Sequence, residues 1–193
     1  MRVSRAQAEE NRQNVIDVAG RLFREHGFDG IGLKDLMEGA GLTQGAFYKQ
    51  FASKEDLVAR ASGRALERST ERWSDAAATN PEDPLGAAIA FYLTREHREA
   101  KMDGCPLVAL GSDAARQSSE VKASFEAGIK AHLQVLSRLI SKADGEERPH
   151  GKAMAILSTM VGALTLARVV NDPDLAQSFL DAAADSVREA ASS

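Results

Sequence analysis

The chain holds one cysteine, Cys105, in 193 residues, which excludes an intrachain disulfide framework and a cysteine-cluster zinc site. Aromatic residues make up 5 % and prolines number five, a scarcity that leans towards helices. No His-Glu-x-x-His spacing occurs, and no Gly-rich phosphate loop follows a strand pattern, so neither a helix-borne zinc site nor a nucleotide-binding loop is expected. An excess of basic charge is missing too. With 24 Lys+Arg against 28 Asp+Glu, the net charge of −4 argues against a chain that coats nucleic acid through a broad basic face. The first thirty residues carry Arg2, Arg5, Glu9, Glu10, Arg12 and Asp17 and lack the uninterrupted apolar core of a secretory signal. The most apolar stretch, 153–167, is broken by Ser158, Thr159, Gly162 and Thr165 and is shorter than the roughly 20 residues of a membrane helix. These absences together predict a cytoplasmic chain with no membrane association, no metal and no cofactor.

What is present is a globular composition, 44 % hydrophobic and 27 % charged, with an uneven charge distribution. Nine basic and nine acidic residues fall in the first sixty positions, so that part is neutral. The remainder carries the whole of the −4, a hint of two functional parts.

Apolar spacing predicts helices nearly throughout. Val15, Ala19, Leu22 and Phe23 share one face of a first helix, and Gly27 is suited to stop it. Leu33, Leu36, Met37 and Ala40 mark a short second helix closed by Gly41. Thr43 is expected to cap a third short helix with its side-chain oxygen, and Ser53 with Asp56 predicts a capping box at the start of a long fourth. Beyond the break at 79–84, Asp83-Pro84 opens a fifth helix, interrupted at 103–106 and followed by a short apolar run, Leu107 to Leu110. A long helix is expected from Ser118 or Ser119 to Asp144, a penultimate one around Ile156 to Leu164, and a last one from Asp172-Pro173.

The informative block is Leu33 to Phe51, two short helices joined by a turn containing Gly41. In such a helix-turn-helix unit the first helix crosses the DNA backbone and the second places side chains in the major groove. Leu36, Met37, Ala40, Leu42 and Phe47 are expected to lock the two together, leaving Gln44, Ala46, Tyr48, Lys49 and Gln50 outward.

The run Gly27-Phe28, Leu33-x-x-Leu36, Ala40-Gly41-Leu42-Thr43-x-Gly45-x-Phe47-Tyr48-x-x-Phe51-x-Ser53-Lys54-Glu55-x-Leu57 resembles the DNA-binding domain of the TetR/AcrR family of bacterial transcriptional regulators. The likeness covers about residues 8–60. It implies an all-α fold of about nine helices, with a three-helix helix-turn-helix DNA-binding domain at 1–52 and a helical effector-binding and dimerisation domain at 53–193. Gln44 and Ala46 then sit where the family reads base edges, and Thr43, Tyr48 and Lys49 where it holds phosphates. Gly45 and Lys34 belong to the same implied interface. Lys54 matches a position that approaches the DNA backbone, and an N-terminal arm with Arg2 and Arg5 is placed to reach a phosphate or the minor groove. One departure is Ile31-Gly32 where the family often has Thr or Ser before the second helix, which removes a hydroxyl contact to phosphate.

By the same resemblance the protein is a regulator and not an enzyme. It is expected to be a repressor, released from a palindromic double-stranded operator by a small-molecule effector. Ile156, Met160, Leu164, Leu175, Phe179 and Val187 are expected to form the homodimer interface. Phe91, Tyr92, Cys105, Phe125, Ile129, His132, Met160 and Leu164 are the expected effector-pocket residues, while His97, in a charged run, reads as solvated. If Pro106 begins a helix, Cys105 is its N-cap, where the helix dipole favours a thiolate, and an electrophile or oxidant sensor is one reading. The competing classes are a helical thiol-dependent redox protein or enzyme using Cys105, and a helical protein-binding adaptor. Steep salt dependence of operator binding separates the regulator from both.

Overall fold

The computed structural model describes residues 4–144 and 150–192, so Arg2 of the expected N-terminal arm lies outside the described residues. Among the described residues the chain is all-α, with nine α-helices, one 3₁₀ helix and no strand. α1 (Arg5–His26) begins at Ser4, whose side chain accepts from the Gln7 amide, and it ends at Gly27 with φ 76°. α2 (Leu33–Gly39) and the 3₁₀ helix (Gln44–Lys49) follow. α3 (Lys54–Ala78) starts at Ser53, whose side chain accepts from the Asp56 amide at 3.1 Å. The Asp56 carboxylate accepts from the amide of Ala52 at 3.1 Å, one residue before the N-cap amide that a standard capping box uses. The remaining helices are α4 (Pro84–Tyr92), α5 (Arg95–Glu99), α6 (Pro106–Ala114), α7 (Ser119–Asp144), α8 (His150–Val169) and α9 (Pro173–Ser192).

Three local details differ from the expectations. The third element is a 3₁₀ helix, and the Thr43 side chain makes no capping bond. The Thr43 carbonyl takes the Ala46 amide at 2.9 Å in the tighter i→i+3 pattern, which leaves the hydroxyl uncommitted. Thr94 caps a separate five-residue helix, α5, by accepting from the His97 amide at 3.1 Å. α8 is 20 residues long and apolar enough by composition to cross a membrane, a test that the core helix of a soluble protein also passes.

Two apolar clusters organise the packing. The first joins Val15, Phe23, Phe28, Leu36, Met37, Phe47, Phe51 and Leu57 to Leu110 of α6 and Phe125 of α7. Phe28 meets Phe23 edge-on at 5.5 Å and Phe125 at 6.4 Å. The second is built from Trp73, Tyr92, Cys105, Leu136, Ile156, Met160, Leu164, Leu180 and Val187. Burying one side chain of this size contributes about 1.5–3 kcal/mol, so each cluster holds its helices together far more strongly than any surface ion pair. α3 belongs to both, with Leu57 and Leu66 in the first and Trp73 and Ala77 in the second. A boundary at 52/53 therefore falls at the N-cap of a helix shared by head and body.

The α3–α7 crossing is close. A Cβ on Gly128 would stand 2.6 Å from Cδ1 and 2.7 Å from Cβ of Leu66. One turn on, His132 is wholly buried between the two helices, with Nε2 3.1 Å from Ser69 Oγ and Nδ1 2.8 Å from the Gly128 carbonyl. Burial lowers its pKa, so the ring is a neutral linker within the core.

Candidate nucleic-acid interface

The turn between α2 and the 3₁₀ helix is fixed by backbone bonds. The Leu42 amide donates to the Met37 carbonyl at 2.8 Å and the Gly41 amide to Glu38 at 2.9 Å, the paired bonds of a Schellman motif. Gly41 sits at φ 72°, a left-handed conformation that costs an L side chain energy. Leu42, just past the turn, packs back onto the head core. The Asn14 amide donates to the Ala40 carbonyl at 2.9 Å and so holds the end of α2 against α1.

The 3₁₀ helix then splits its side chains. Phe47 is fully buried, its ring tilted by 32° against Phe51 at 5.5 Å, while Tyr48 is 68 % exposed with its ring edge-on to Phe47 at 5.1 Å. Thr43, Gln44, Gly45 and Lys49 are exposed around Tyr48, and Ala46 is half-buried against the head core. A Cβ added to Gly45 would meet nothing within 4 Å. The exposed strip thus offers a hydroxyl, an amide, a phenol and an ammonium on a rigid apolar base, groups suited to phosphate oxygens and base edges.

Lys34 and Lys54 differ from the strip. Lys34 is exposed on α2 and lies 3.8 Å from Glu38, a weak surface pair. Lys54 is half-buried, and its ammonium donates to the Ile31 carbonyl at 2.7 Å. Its position serves the fold first, because it ties the α1–α2 loop to the start of α3.

The eight expected effector residues are divided between the two apolar clusters, the helix crossing and the surface. Phe125 belongs to the head core, Phe91 and Ile129 are each 37 % exposed, and Tyr92, Cys105, His132, Met160 and Leu164 pack tightly in the chain's own core. The expected dimer residues divide as well. Ile156, Met160, Leu164 and Val187 are buried where α8 and α9 pack within the chain. Leu175 is 45 % exposed and Phe179 half-buried, and the outward apolar side chains of α8 are Met154, Leu166 and Val169. The sequence pattern missed this because α8 is apolar on all sides.

His97 is not solvated. Its Nδ1 lies 2.7 Å from the Tyr92 carbonyl and its Nε2 accepts from the Cys105 amide at 3.0 Å, which requires the neutral ring with the proton on Nδ1. Burial lowers its pKa to about 4. From α8, Arg168 donates to the carbonyls of His97 and Arg98 at 2.8 and 3.0 Å and closes the end of α5. Cys105 is the N-cap of α6 and 1 % exposed. Burial, then the neighbouring Cys105, push the Tyr92 hydroxyl well above its ordinary value.

Residues 15–61, the whole of the motif just described, match the family model of bacterial regulatory proteins of the tetR family. The head of the chain thus carries the sequence pattern of the tetR-family regulatory proteins. Among curated proteins, the HTH-type transcriptional regulator AcrR of Shigella flexneri is 34 % identical over 109 residues, 53 % of this chain and 51 % of that protein. The chain thus spans about half the length of that relative in the aligned region. The HTH-type transcriptional repressor NemR of Escherichia coli is 22 % identical over 134 residues, 68 % of this chain and 67 % of that protein. The crystal structure of its reduced form superposes with a TM-score of 0.80 at 20 % identity, covering 93 % of this chain and 97 % of that one. A TetR transcriptional regulator from Chloroflexus aurantiacus superposes with a TM-score of 0.78 at 25 % identity, covering 95 % and 97 %. These relatives carry the names of transcriptional regulators, not of enzymes. The fold agreement extends over head and body, whereas the family match is confined to the head.

Proposed function

We propose that this chain is a homodimeric DNA-binding transcriptional regulator, a repressor that leaves a palindromic operator when its body senses a small molecule. The observation that carries the reading is the exposed strip Thr43, Gln44, Gly45, Tyr48 and Lys49 on buried Phe47, inside the family-matched residues. Its N-terminal side chains enter the major groove, with Gln44 reading a base edge and Tyr48 and Lys49 holding phosphates. The neutral head and acidic body confine DNA contact to this strip, since the body repels phosphates. Such a protein works in the bacterial cytoplasm, beside the DNA.

The dimer is assigned to the outward faces of α8 and α9. Met154, Leu166, Val169 and Leu175 are 45 % to 74 % exposed, an apolar row unusual on a free surface. A two-fold pair places two recognition strips on one side, which calls for half-sites about one helical turn, or a multiple, apart.

Selection of bound genomic fragments, followed by anisotropy titration across salt concentrations, tests the reading. A log affinity that falls linearly with log salt, with a two-fold symmetric site, is expected. Binding indifferent to salt, or unchanged when Tyr48 and Lys49 are both replaced by Ala, overturns it.

A second reading of the effector rests on Cys105. Its amide is bonded to His97 and its thiol fills the core beside Tyr92, so addition of the thiol across an activated carbon–carbon double bond would disrupt both contacts. Sulfur bonds to one carbon and the thiol proton passes to the other. The ligand must favour the DNA-free conformation by more than it favours the bound one, or no release follows. A Cys105→Ser protein that still leaves DNA on treatment with an electrophile refutes this version and leaves the DNA-binding reading intact.

A further inference from the structure

Where α1 crosses α3, beside the α5–α6 loop, lies a cleft of about 260 Å³ lined by five arginines. Arg21 and Arg24 come from α1, and Arg64, Arg68 and Arg72 repeat every four residues along α3. The floor is a tight helix crossing. A Cβ on Gly20 would lie 3.3 Å from the Ala61 carbonyl oxygen and 3.9 Å from Nη1 of Arg24, so that guanidinium overhangs the crossing.

The carboxylates of the cleft do not satisfy all five cations. Asp17 is taken by Arg68 at 2.6 Å and approached by Arg64 at 3.9 Å. Asp103 is taken by Arg21 in a fork, Nε at 3.0 Å and Nη2 at 3.2 Å. Glu71 and Asp75 are exposed at the rim. Among the described residues, Arg24 and Arg72 have no carboxylate within ion-pair distance. Arg24 Nε donates to the Met102 carbonyl, and Arg72 Nη1 to the Asp103 carbonyl at 2.7 Å. A guanidinium has five N–H donors in a plane, so each keeps donors in hand and its full charge. Half-buried Arg24 has its pKa lowered to about 10, by burial first and, against the pull of Asp103, by the charges of Arg72 and Arg21.

We propose that this cleft binds a compact phosphoryl dianion, inorganic phosphate or the phosphate group of a small metabolite, between Arg24 and Arg72 with Arg21 at its edge. Arg24 and Arg72 keep guanidinium donors that no carboxylate takes, and their forks match phosphate oxygens in geometry, while Glu71 and Asp75 stay at the exposed rim. The volume lies below that of a drug-sized pocket, which suits a small polar ligand. The bound anion would join α1 of the head, α3 and the loop that carries Asp103 and Cys105, so its occupancy ties head to body. Binding to the cleft does not rest on the DNA-binding reading and is measured without DNA.

The test is thermal unfolding of the full chain as phosphate replaces chloride at constant ionic strength, with phosphate calorimetry as a second readout. A saturable rise in Tm of about 3–6 °C is expected once phosphate exceeds its Kd roughly tenfold. Arg72→Gln should abolish the rise and the calorimetric heat, and Arg72→Lys should weaken binding about tenfold by losing the fork. Arg95→Gln, at an exposed residue paired with Glu99 on α5, should change neither. A rise that stays linear in phosphate, which is the general effect of an excluded anion, overturns the proposal. So does a rise that persists in Arg72→Gln. Calorimetry settles the case if that variant proves too unstable to melt cleanly, since phosphate heat in Arg24→Gln equal to that of the unaltered chain also overturns it.

Discussion

The ammonium of Lys54 donates to the carbonyl of Ile31 at 2.7 Å, joining the first turn of α3 to the loop that precedes α2. Lys49, five residues earlier, is exposed and carries its charge into solvent. The two lysines therefore separate fold from function. Lys54→Met should destabilise the chain by about 1–2 kcal/mol, because a part-buried carbonyl loses a charged partner. Lys49→Met should leave the denaturation midpoint unchanged, weaken DNA uniformly across sequences, and reduce the slope of log affinity against log salt by about one. Urea titration and anisotropy on the same two proteins check both. A Lys49 variant with an unchanged salt slope removes that residue from the interface.

Gly41 and Gly45 make a second contrast four residues apart. Gly41 needs φ 72°, so Gly41→Ala should cost about 1–2 kcal/mol and loosen the helix-turn-helix angle. Gly45 has an ordinary backbone and open space where a Cβ would go. Gly45→Ala should hold or raise stability by up to about 1 kcal/mol, since it narrows the unfolded ensemble. DNA affinity should nonetheless fall, because the open space is where the proposed duplex lies. Equal DNA affinity in the Gly45→Ala protein places the duplex elsewhere.

The head was legible because each of its residues is forced by a separate physical requirement. Gly41 must turn, Phe47 must be buried, and Ser53 must cap, and all three needs show in the residue type. The body was less legible. α8 is apolar on every side, so spacing alone could not tell buried Ile156, Met160 and Leu164 from exposed Met154, Leu166 and Val169. Phe125 reads like any body residue, yet α7 passes beside Phe28 and gives it to the head core. His97 sits among charges in sequence, and only the fold brings the Tyr92 carbonyl and Cys105 amide to its ring. The Arg64, Arg68, Arg72 spacing was visible, but a four-residue repeat of one charge on a helix is ordinarily a solvated face. The facing arginines of α1 become relevant only when the crossing is seen.

Gly128 is required by packing, not by backbone conformation. Its missing Cβ would stand 2.6 Å from Leu66, in the middle of the α3–α7 crossing. Gly128→Ala should destabilise by about 1–3 kcal/mol through overpacking, despite the higher helix propensity of alanine. The double variant Gly128→Ala, Leu66→Ala should lose less than the sum of the two single losses, because removing Cγ and Cδ1 of Leu66 relieves two of the three close contacts while its Cβ stays 2.7 Å away. A Gly128→Ala protein as stable as the original would show that the crossing relaxes freely.

His97 gives the chain a pH dependence whose sign follows from its bonds. Its pKa is about 4 in the folded chain against an ordinary 6.5, so between these values the unfolded chain binds more protons. The contribution is fully present above pH 6.5 and is lost as pH falls towards 4, on the order of 3 kcal/mol for a shift of this size. His132, also lowered by burial, adds in the same direction. Protonating His97 removes the lone pair that accepts from the Cys105 amide and places a charge near Arg168 and Arg72, whose own charges help to hold its pKa down. Stability measured by urea titration should therefore decline from pH 7 to pH 4.5. In a His97→Asn protein the decline should be shallower and the remainder should belong mainly to His132. The α5–α6 loop, which the Cys105 amide anchors, should open first, seen as earlier alkylation of Cys105 below pH 6 after correction for thiol reactivity. An identical pH slope in the His97→Asn protein would mean that the ring is protonated in the folded chain without loss of its contacts.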